Sequence, residues 1–377
     1  MVAEARTNEA VGDRSVLALN RGSSSLKFGL FTLSPEAAAL SRGTVTISDG
    51  RTAFEQVIAR VSAAVEKHPL AAVAHRLVHG GPDLRTPRTV DDALLVALRQ
   101  LVHLAPNHLP DEIALIEDVR RARPDLPQIV CFDTAFHADL PEIARRLPIP
   151  AEYAAEGVQR YGFHGLSYTF LLDELSRRGS ASPSERAILA HLGNGSSLAA
   201  VRRGRSIDTT MGFTPMGGVV MGTRPGDLDP GVVTHMARTH GLNPDQVEKE
   251  LSRRSGLAGL SAGTSDMRDL LAREGSDEDC RLAVAIYCYE IKKRIGAYAA
   301  ALAGLDVLAF SGGIGERAPV VRSRICSGLE FLGIELEAAA NAENAAVIST
   351  SQSRVAVHVI STDEEVVMAR AAHDLLS

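Results

Sequence analysis

Residues 17–28 read LALNRGSSSLKF, and residues 189–200 read LAHLGNGSSLAA. Each is a short apolar run, a glycine-serine turn and a second apolar run, the pattern of two strands joined by a tight hairpin. The Gly-Ser-Ser of Gly22, Ser23 and Ser24 recurs at Gly195, Ser196 and Ser197, 173 residues later in a chain of 377. An offset near half the length, in the same hairpin context, favours an internal duplication.

Outward from the first hairpin, Phe54, Val57, Ile58 and Val61 have helical spacing within 53–67, followed by an apolar strand over 70–78. Helices are expected over 91–102 and 111–121, then a strand over 128–132 that stops at Asp133. After the second hairpin come helices over 230–239, 243–252 (with Asn243 as its cap) and 277–302. A strand over 307–310 leads into SGGIGER (311–317), expected as a loop, and a helix from about 319. A last strand over 355–360, the segment STDEE and a short amphipathic helix to Leu376 close the pattern. Strands alternating with helices indicate an α/β architecture, with ligands expected at the carboxyl ends of the strands.

Composition bounds the partners. Forty Lys plus Arg against 46 Asp plus Glu, a net charge of −6, argues against a protein built to hold nucleic acid. No apolar stretch approaches the roughly 18 residues of a membrane span. Cys131, Cys280, Cys288 and Cys326 have no paired spacing, so neither a disulfide framework nor a zinc site is expected. Residues 1–14 are expected to be a loose tail without the apolar core of a signal peptide.

Three glycine-rich turns directly follow apolar strands, at 22–25, 193–197 and 312–315. Glycine lets backbone approach a ligand closely, and exposed N–H groups and hydroxyls receive phosphate oxygens. Together they favour a nucleotide phosphate site. GxxxxGK[ST], HExxH and GxSxG are all absent, and GGIGER lacks the third glycine of a dinucleotide fingerprint. Polar residues near the ends of apolar runs complete the candidates. Arg76 and Arg224 could clamp a carboxylate and a phosphoryl group. Asn20, Asp133 and Glu364 are oxygen donors of the kind Mg²⁺ accepts, although Glu364 could equally serve a helix N-terminus. His164 lies between Gly162 and Gly165, where close approach to a ligand competes with a role in the core.

The segments LNRGSSSLKF, AHRLVHGG, FDTAFHADLP, RYGFHG, HLGNGSS, DTTMGFTPMGG, MGTRPGDLDPG, SDMRDL, GGIGER, GLEFLGI and TDEE occur in the order in which they occur in one family. From about Leu17 to about Glu365, the chain resembles the acetokinase family of the sugar kinase, Hsp70 and actin superfamily. The resemblance implies duplicated ribonuclease H-like (actin-type ATPase) domains with an interdomain cleft. Residues 1–134 with 366–377 would form the N-terminal domain, and 135–365 the nucleotide-binding and dimerisation domain. It implies a cytoplasmic homodimer that transfers the γ-phosphate of ATP to acetate, reversibly, giving acetyl phosphate and ADP, with Mg²⁺ or Mn²⁺ as the metal. Carried over by motif, Asp133, His164 and Arg224 are catalytic, and Arg76, Val78, Phe163 and Pro215 bind the substrate. Asn20 and Glu364 hold the metal. The nucleotide falls to Lys27, His191, Leu192, Gly193, Asn194, Gly195, Asp266, Met267, Arg268, Gly313, Ile314, Gly315, Glu316 and Arg317.

A carboxylate is already ionised at neutral pH, so Asp133 is expected to orient Mg²⁺, water or an arginine rather than to remove a substrate proton. The chain departs from the family pattern at Arg21, Asn107, Leu109, Leu166, Tyr168 and Arg317, which leaves acyl-chain choice and strict ATP preference open. A propionate or other short-chain acyl kinase, another phosphoryl donor, and a nucleotide-dependent regulatory protein of the same fold are the alternatives.

Overall fold

The structure, a computed structural model, describes residues 14–22, 24–47, 52–179, 186–261 and 263–377. Almost all of the expected N-terminal tail, residues 1–13, lies outside the described residues. The chain divides into two units, Met1–Ala138 with Asp363–Ser377, and Asp139–Thr362. Glu364 therefore belongs to the first unit.

The first unit holds β1 (Ser15–Arg21), β2 (Ser25–Thr32), β3 (Ala39–Thr46), β4 (Leu70–Leu77), β5 (Arg88–Thr89) and β6 (Gln128–Phe132), in the order β3-β2-β1-β4-β6-β5. β1 runs antiparallel to β2 and parallel to β4, and β4 parallel to β6. Val16, Leu17, Ala18 and Leu19 are all fully buried, because the sheet is covered on both faces. Leu17 and Leu19 join Phe54, Val57 and Val61 of helix Ala53–Lys67 and Leu115 and Val119 of helix Leu109–Ala122. Helix Glu364–Leu376 also packs against β1, β2, β4 and β6.

The second unit repeats this plan. It holds β7 (Arg186–Leu192), β8 (Ser196–Arg202), β9 (Arg205–Thr209), β10 (Val307–Ser311) and β11 (Ala356–Val359), ordered β11-β10-β7-β8-β9. β7, β8 and β9 form an antiparallel meander, while β10 lies parallel to β7 and to β11. Each unit thus has a three-strand meander followed by parallel strands added beside its first strand, which is the ribonuclease H-like order in duplicate. The core of this unit joins Ile188, Leu192, Leu308 and Phe310 to Val284, Tyr287, Ile291 and Ile295 of helix Glu278–Leu302. The four cysteines are free and buried.

One expectation needs correction. SGGIGER is not a loop: Gly312–Arg317 is a short helix starting at the end of β10. Gly312 makes this sharp entry with a φ of +76°, and Glu316 Oε1 accepts its N–H at 3.0 Å. The sequence reading also passed over β3, β9 and helix Gly165–Arg177. Asn243 does cap its helix, in a reciprocal capping box with Gln246.

Candidate active site

Parallel strands deliver their carboxyl ends to one edge of a sheet, and in the first unit that edge is charged. Leu19 pairs with His75, and Arg76 with Cys131, so Asn20, Arg76 and Asp133 follow one another across β1, β4 and β6. Arg76 Nε donates to Asp133 Oδ1 at 3.0 Å, Nη2 to Oδ2 at 2.5 Å, and Nη1 to Asn20 Oδ1 at 3.2 Å. Asn20 Nδ2 in turn donates to Glu364 Oε2 at 3.2 Å, which also lies 3.9 Å from Arg76 Nε. Glu364 opens the helix capped by Asp363, so it is both a first-turn acid and a member of this cluster. Lys27, opposite Asn20 in the β1–β2 register, pairs with Glu365 at 3.4 Å.

Acidic groups exceed the cations that balance them. Burial, opposed by Arg76 and reinforced by Asp133 and Glu365, pushes the Glu364 carboxyl up to about 7. Burial works against the Arg76 charge too, but Asp133 and Glu364 hold it well above its ordinary value.

Glu112 was not among the expected site residues. It is 3% exposed, its Oε2 accepts the Val78 N–H at 3.0 Å, and among the described residues its Oε1 has no hydrogen-bond partner. Burial pushes it, too, up to about 7. The signal was present: Glu112 lies on the stripe Leu109, Ile113, Ile116 and Val119, where an acid has no reason to sit unless it is used. A carboxyl raised on folding contributes its stability in full below its unfolded value near 4.5. That contribution disappears as the pH climbs through about 7. Glu112→Gln should therefore match the parent near pH 4 and exceed it by roughly 3 kcal/mol near pH 8. Urea unfolding of both proteins across this range checks it, and a constant difference would refute it.

The second unit assembles glycine turns in the same way. His191 pairs with Ser311 across β7 and β10, so both strands end at one edge. A Cβ on Gly193 would lie 3.9 Å from the Gly313 nitrogen, so the GNG and GGIG turns are neighbours. Gly222 donates to the Asn194 carbonyl at 2.9 Å, bringing the MGTRPG segment against the same turn. Arg224 Nη1 donates to the Pro215 carbonyl at 2.7 Å. Both acids that follow Arg224 are occupied: Asp227 binds the Gly218 N–H and Arg294, and Asp229 caps helix Pro230–His240. Among the described residues no carboxylate pairs with Arg224, and burial lowers its pKa. A Cβ on Gly195 would lie 2.8 Å from Arg224 Nη2 and 3.2 Å from His164 Nε2, so only glycine leaves both nitrogens room there.

His164 initiates helix Gly165–Arg177 from a left-handed φ of 59°. Its ring stacks on His191 at 4.3 Å, and its Nδ1 lies 2.8 Å from Ser197 Oγ. Phe163, beside it, is buried. Other expected nucleotide residues are differently engaged. Leu192 and Met267 point into the core, and Ile314 packs on it. Glu316 accepts from Gly312, Ser361 and Thr362. Asp266 caps helix Met267–Arg273 and pairs with the exposed Arg268, while Arg317 is exposed and Gly315 buried.

The departures from the family pattern also find places. Arg21 pairs with Asp111 at 3.4 Å. Leu109 is buried and Asn107 exposed, so the exchange at this turn puts the apolar side chain inside. Leu166 and Tyr168 are buried.

Among the described residues, no group of three or more His, Cys, Asp or Glu side chains is arranged to hold a metal. The donors Asn20 and Glu364 nevertheless suit Mg²⁺, which keeps several waters and takes one or two carboxylates. The Asp133 and Glu365 charges beside Glu364 make this a place where added positive charge is favoured.

The fold, with its glycine turns at matching strand ends, is that of the sugar kinase, Hsp70 and actin superfamily. A model described as the acetokinase family matches residues 41–370. The chain is 40% identical, over 394 aligned positions, to an acetate kinase of Coprothermobacter proteolyticus, covering 96% of this chain and 98% of that one. It is similar to the crystal structure of Porphyromonas gingivalis acetate kinase, with a TM-score of 0.87 and 32% identity over 97% of this chain and 100% of the other. A propionate kinase from Francisella tularensis is equally similar in structure, with a TM-score of 0.88 and 31% identity over 95% of this chain and 98% of that one. The chain belongs to the acetokinase family.

Proposed function

We propose that the protein catalyses reversible transfer of the γ-phosphoryl group of ATP to acetate, giving acetyl phosphate and ADP. The observation that carries this reading is Arg224, a cation that pairs with no carboxylate among the described residues, whose Nη2 faces Gly195 together with His164 Nε2. Two donors at one glycine turn suit the charge that spreads over the equatorial oxygens during phosphoryl transfer. The adjacent turns at Gly193, Asn194, Gly195 and Gly313 are assigned to the nucleotide, together with His191.

In the first unit Arg76 receives the carboxylate, and Val78 offers its apolar side chain to the methyl group. Acetate reaches the enzyme ionised, so its attack needs no general base. Both Asp133 oxygens are committed to Arg76, which supports an orienting role for Asp133. Asn20 and Glu364 would hold Mg²⁺, whose charge would offset that of the phosphates. Phe163 and Pro215 are kept as acyl-group contacts, and Lys27, Asp266 and Arg268 as nucleotide contacts, on the family resemblance. A cytoplasmic homodimer is carried forward on the same ground; no helix among the described residues is long and apolar enough to cross a membrane.

Propionate is the second candidate acceptor, favoured by the likeness to the Francisella propionate kinase. An apolar pocket separates the two acids weakly, since one methylene is worth roughly 1–3 kcal/mol. Trapping acyl phosphate with hydroxylamine, from ATP, Mg²⁺ and acetate, propionate or butyrate, tests both readings. We expect a strong acetate signal. A propionate preference keeps the reaction and changes the substrate, whereas no signal with any acid would overturn the proposal.

A further inference from the structure

Tyr168 is fully buried on helix Gly165–Arg177, four residues beyond His164. Its phenol bonds the Ser197 hydroxyl, and the same hydroxyl lies 2.8 Å from His164 Nδ1. The phenol oxygen also receives a hydrogen bond from the His191 backbone.

These links have a direction. A phenol is a stronger acid than a serine hydroxyl, and here burial keeps it protonated. As the stronger donor of the two hydroxyls, the phenol gives its proton to Ser197 while its oxygen accepts from the His191 backbone. Ser197 then has its proton left for Nδ1. An imidazole that accepts at Nδ1 carries its hydrogen on Nε2, the nitrogen that faces Gly195 alongside Arg224. The His191 ring, stacked 4.3 Å away and itself held by Ser167 at 2.8 Å, keeps the His164 ring plane in place.

We propose that Tyr168 is a positioning residue: acting through Ser197, it holds His164 in the neutral Nε2–H form, so that this nitrogen always presents a donor to the transferring phosphoryl group. The proposal rests on the phosphoryl-transfer reading for the purpose of that donor, but the proton's position is independent of it. Tyr168 is also one of the places where this chain departs from the family pattern, so the hydroxyl relay is a property of this chain's own residues.

The test is the tautomer itself. Long-range ¹⁵N–¹H correlation on the full chain labelled at histidine, with His164 assigned by its loss in His164→Gln, reads which nitrogen carries the proton. The parent should show Nε2–H. Tyr168→Phe, which keeps the buried ring, and Ser197→Ala should both give mixed tautomers. Their kcat should fall in proportion to the population that has lost the Nε2 proton, about twofold for an even mixture, with KM for ATP and acetate unchanged. Ser197→Thr, which retains a hydroxyl, should keep the Nε2–H form. A parent spectrum with the proton on Nδ1 overturns the proposal without any variant, and so does an unchanged tautomer in both Tyr168→Phe and Ser197→Ala. Absence of acyl phosphate formation by the parent would overturn the phosphoryl-transfer reading while leaving the tautomer result intact.

Discussion

Arg224→Ala is expected to lower kcat for acyl phosphate formation by about 10³-fold while leaving the melting temperature within about 2 °C of the parent. The two halves of that expectation have one origin. Arg224 donates to the Pro215 carbonyl and otherwise faces Gly195, with no carboxylate paired to it among the described residues. A half-buried cation of this kind opposes folding, so removing it costs little stability. Its value lies in the charge that develops during transfer, which is why the loss falls on kcat rather than on KM. Arg224→Lys should recover only a small part, because the three N–H donors of an ammonium leave from one nitrogen and cannot span the Pro215 carbonyl and the Gly195 turn as the two Nη atoms of the guanidinium do. Steady-state kinetics and thermal unfolding of both variants decide it. Turnover within tenfold of the parent, or a collapse in melting temperature, would remove Arg224 from the proposed chemistry.

Asp133→Asn should act on both properties at once. The Asp133 side chain is 1% exposed and takes two hydrogen bonds from Arg76. An amide presents one acceptor oxygen and no charge, so Arg76 loses half of its fork and its main counter-ion. Breaking a buried pair in this way costs roughly 3 kcal/mol of stability. We expect kcat/KM for acetate to fall by about 10²-fold as Arg76 loses its orientation. The two roles open to Asp133 separate cleanly. If it orients Arg76, the deficit is the same for short acids of different pKa, because each arrives ionised. If it removes a substrate proton, the deficit changes with that pKa, and the orienting role fails.

What could be read before the fold was known follows from burial. VLAL and IVCF announced themselves because these stretches of β1 and β6 are covered on both sides, so every position in them is apolar. β3 and β9 went unread because each lies on the outside of its meander: ALSRGTVT and RSIDT keep mostly polar or exposed residues and lack a clean alternation. In GGIGER, low helix propensity argued for a loop. The Glu316 side chain, which ties Gly312 to Ser361 and Thr362, supplies long-range bonds that no local pattern contains.

The site was legible as residue types and not as partnerships. Arg76, Asp133 and Asn20 were identifiable because each sits at or just beyond the end of an apolar run. Their mutual contacts depend on a strand order that brings residues more than fifty positions apart side by side. Glu112 carried a sequence signal, an acid on an apolar stripe, but its bond to the Val78 N–H belongs to the tertiary structure. Ser197 appeared only as part of a repeated turn, and its bonds to Tyr168 and His164 belong to the tertiary structure.

The division of the chain has a consequence for biosynthesis. A nascent polypeptide leaves the ribosome N-terminus first, and domains generally fold as they emerge. Residues 139–362 are continuous and can collapse as soon as they are made. The first-made sheet must wait, because the helix Glu364–Leu376 that covers β1, β2, β4 and β6 is synthesised after everything between. Glu364 arrives with that helix. A truncated translation product therefore carries an uncovered apolar sheet together with an incomplete charge cluster. Such a fragment is exposed to chaperones and proteases, and the Asn20, Arg76, Asp133 and Glu364 cluster is complete only once helix Glu364–Leu376 has been made.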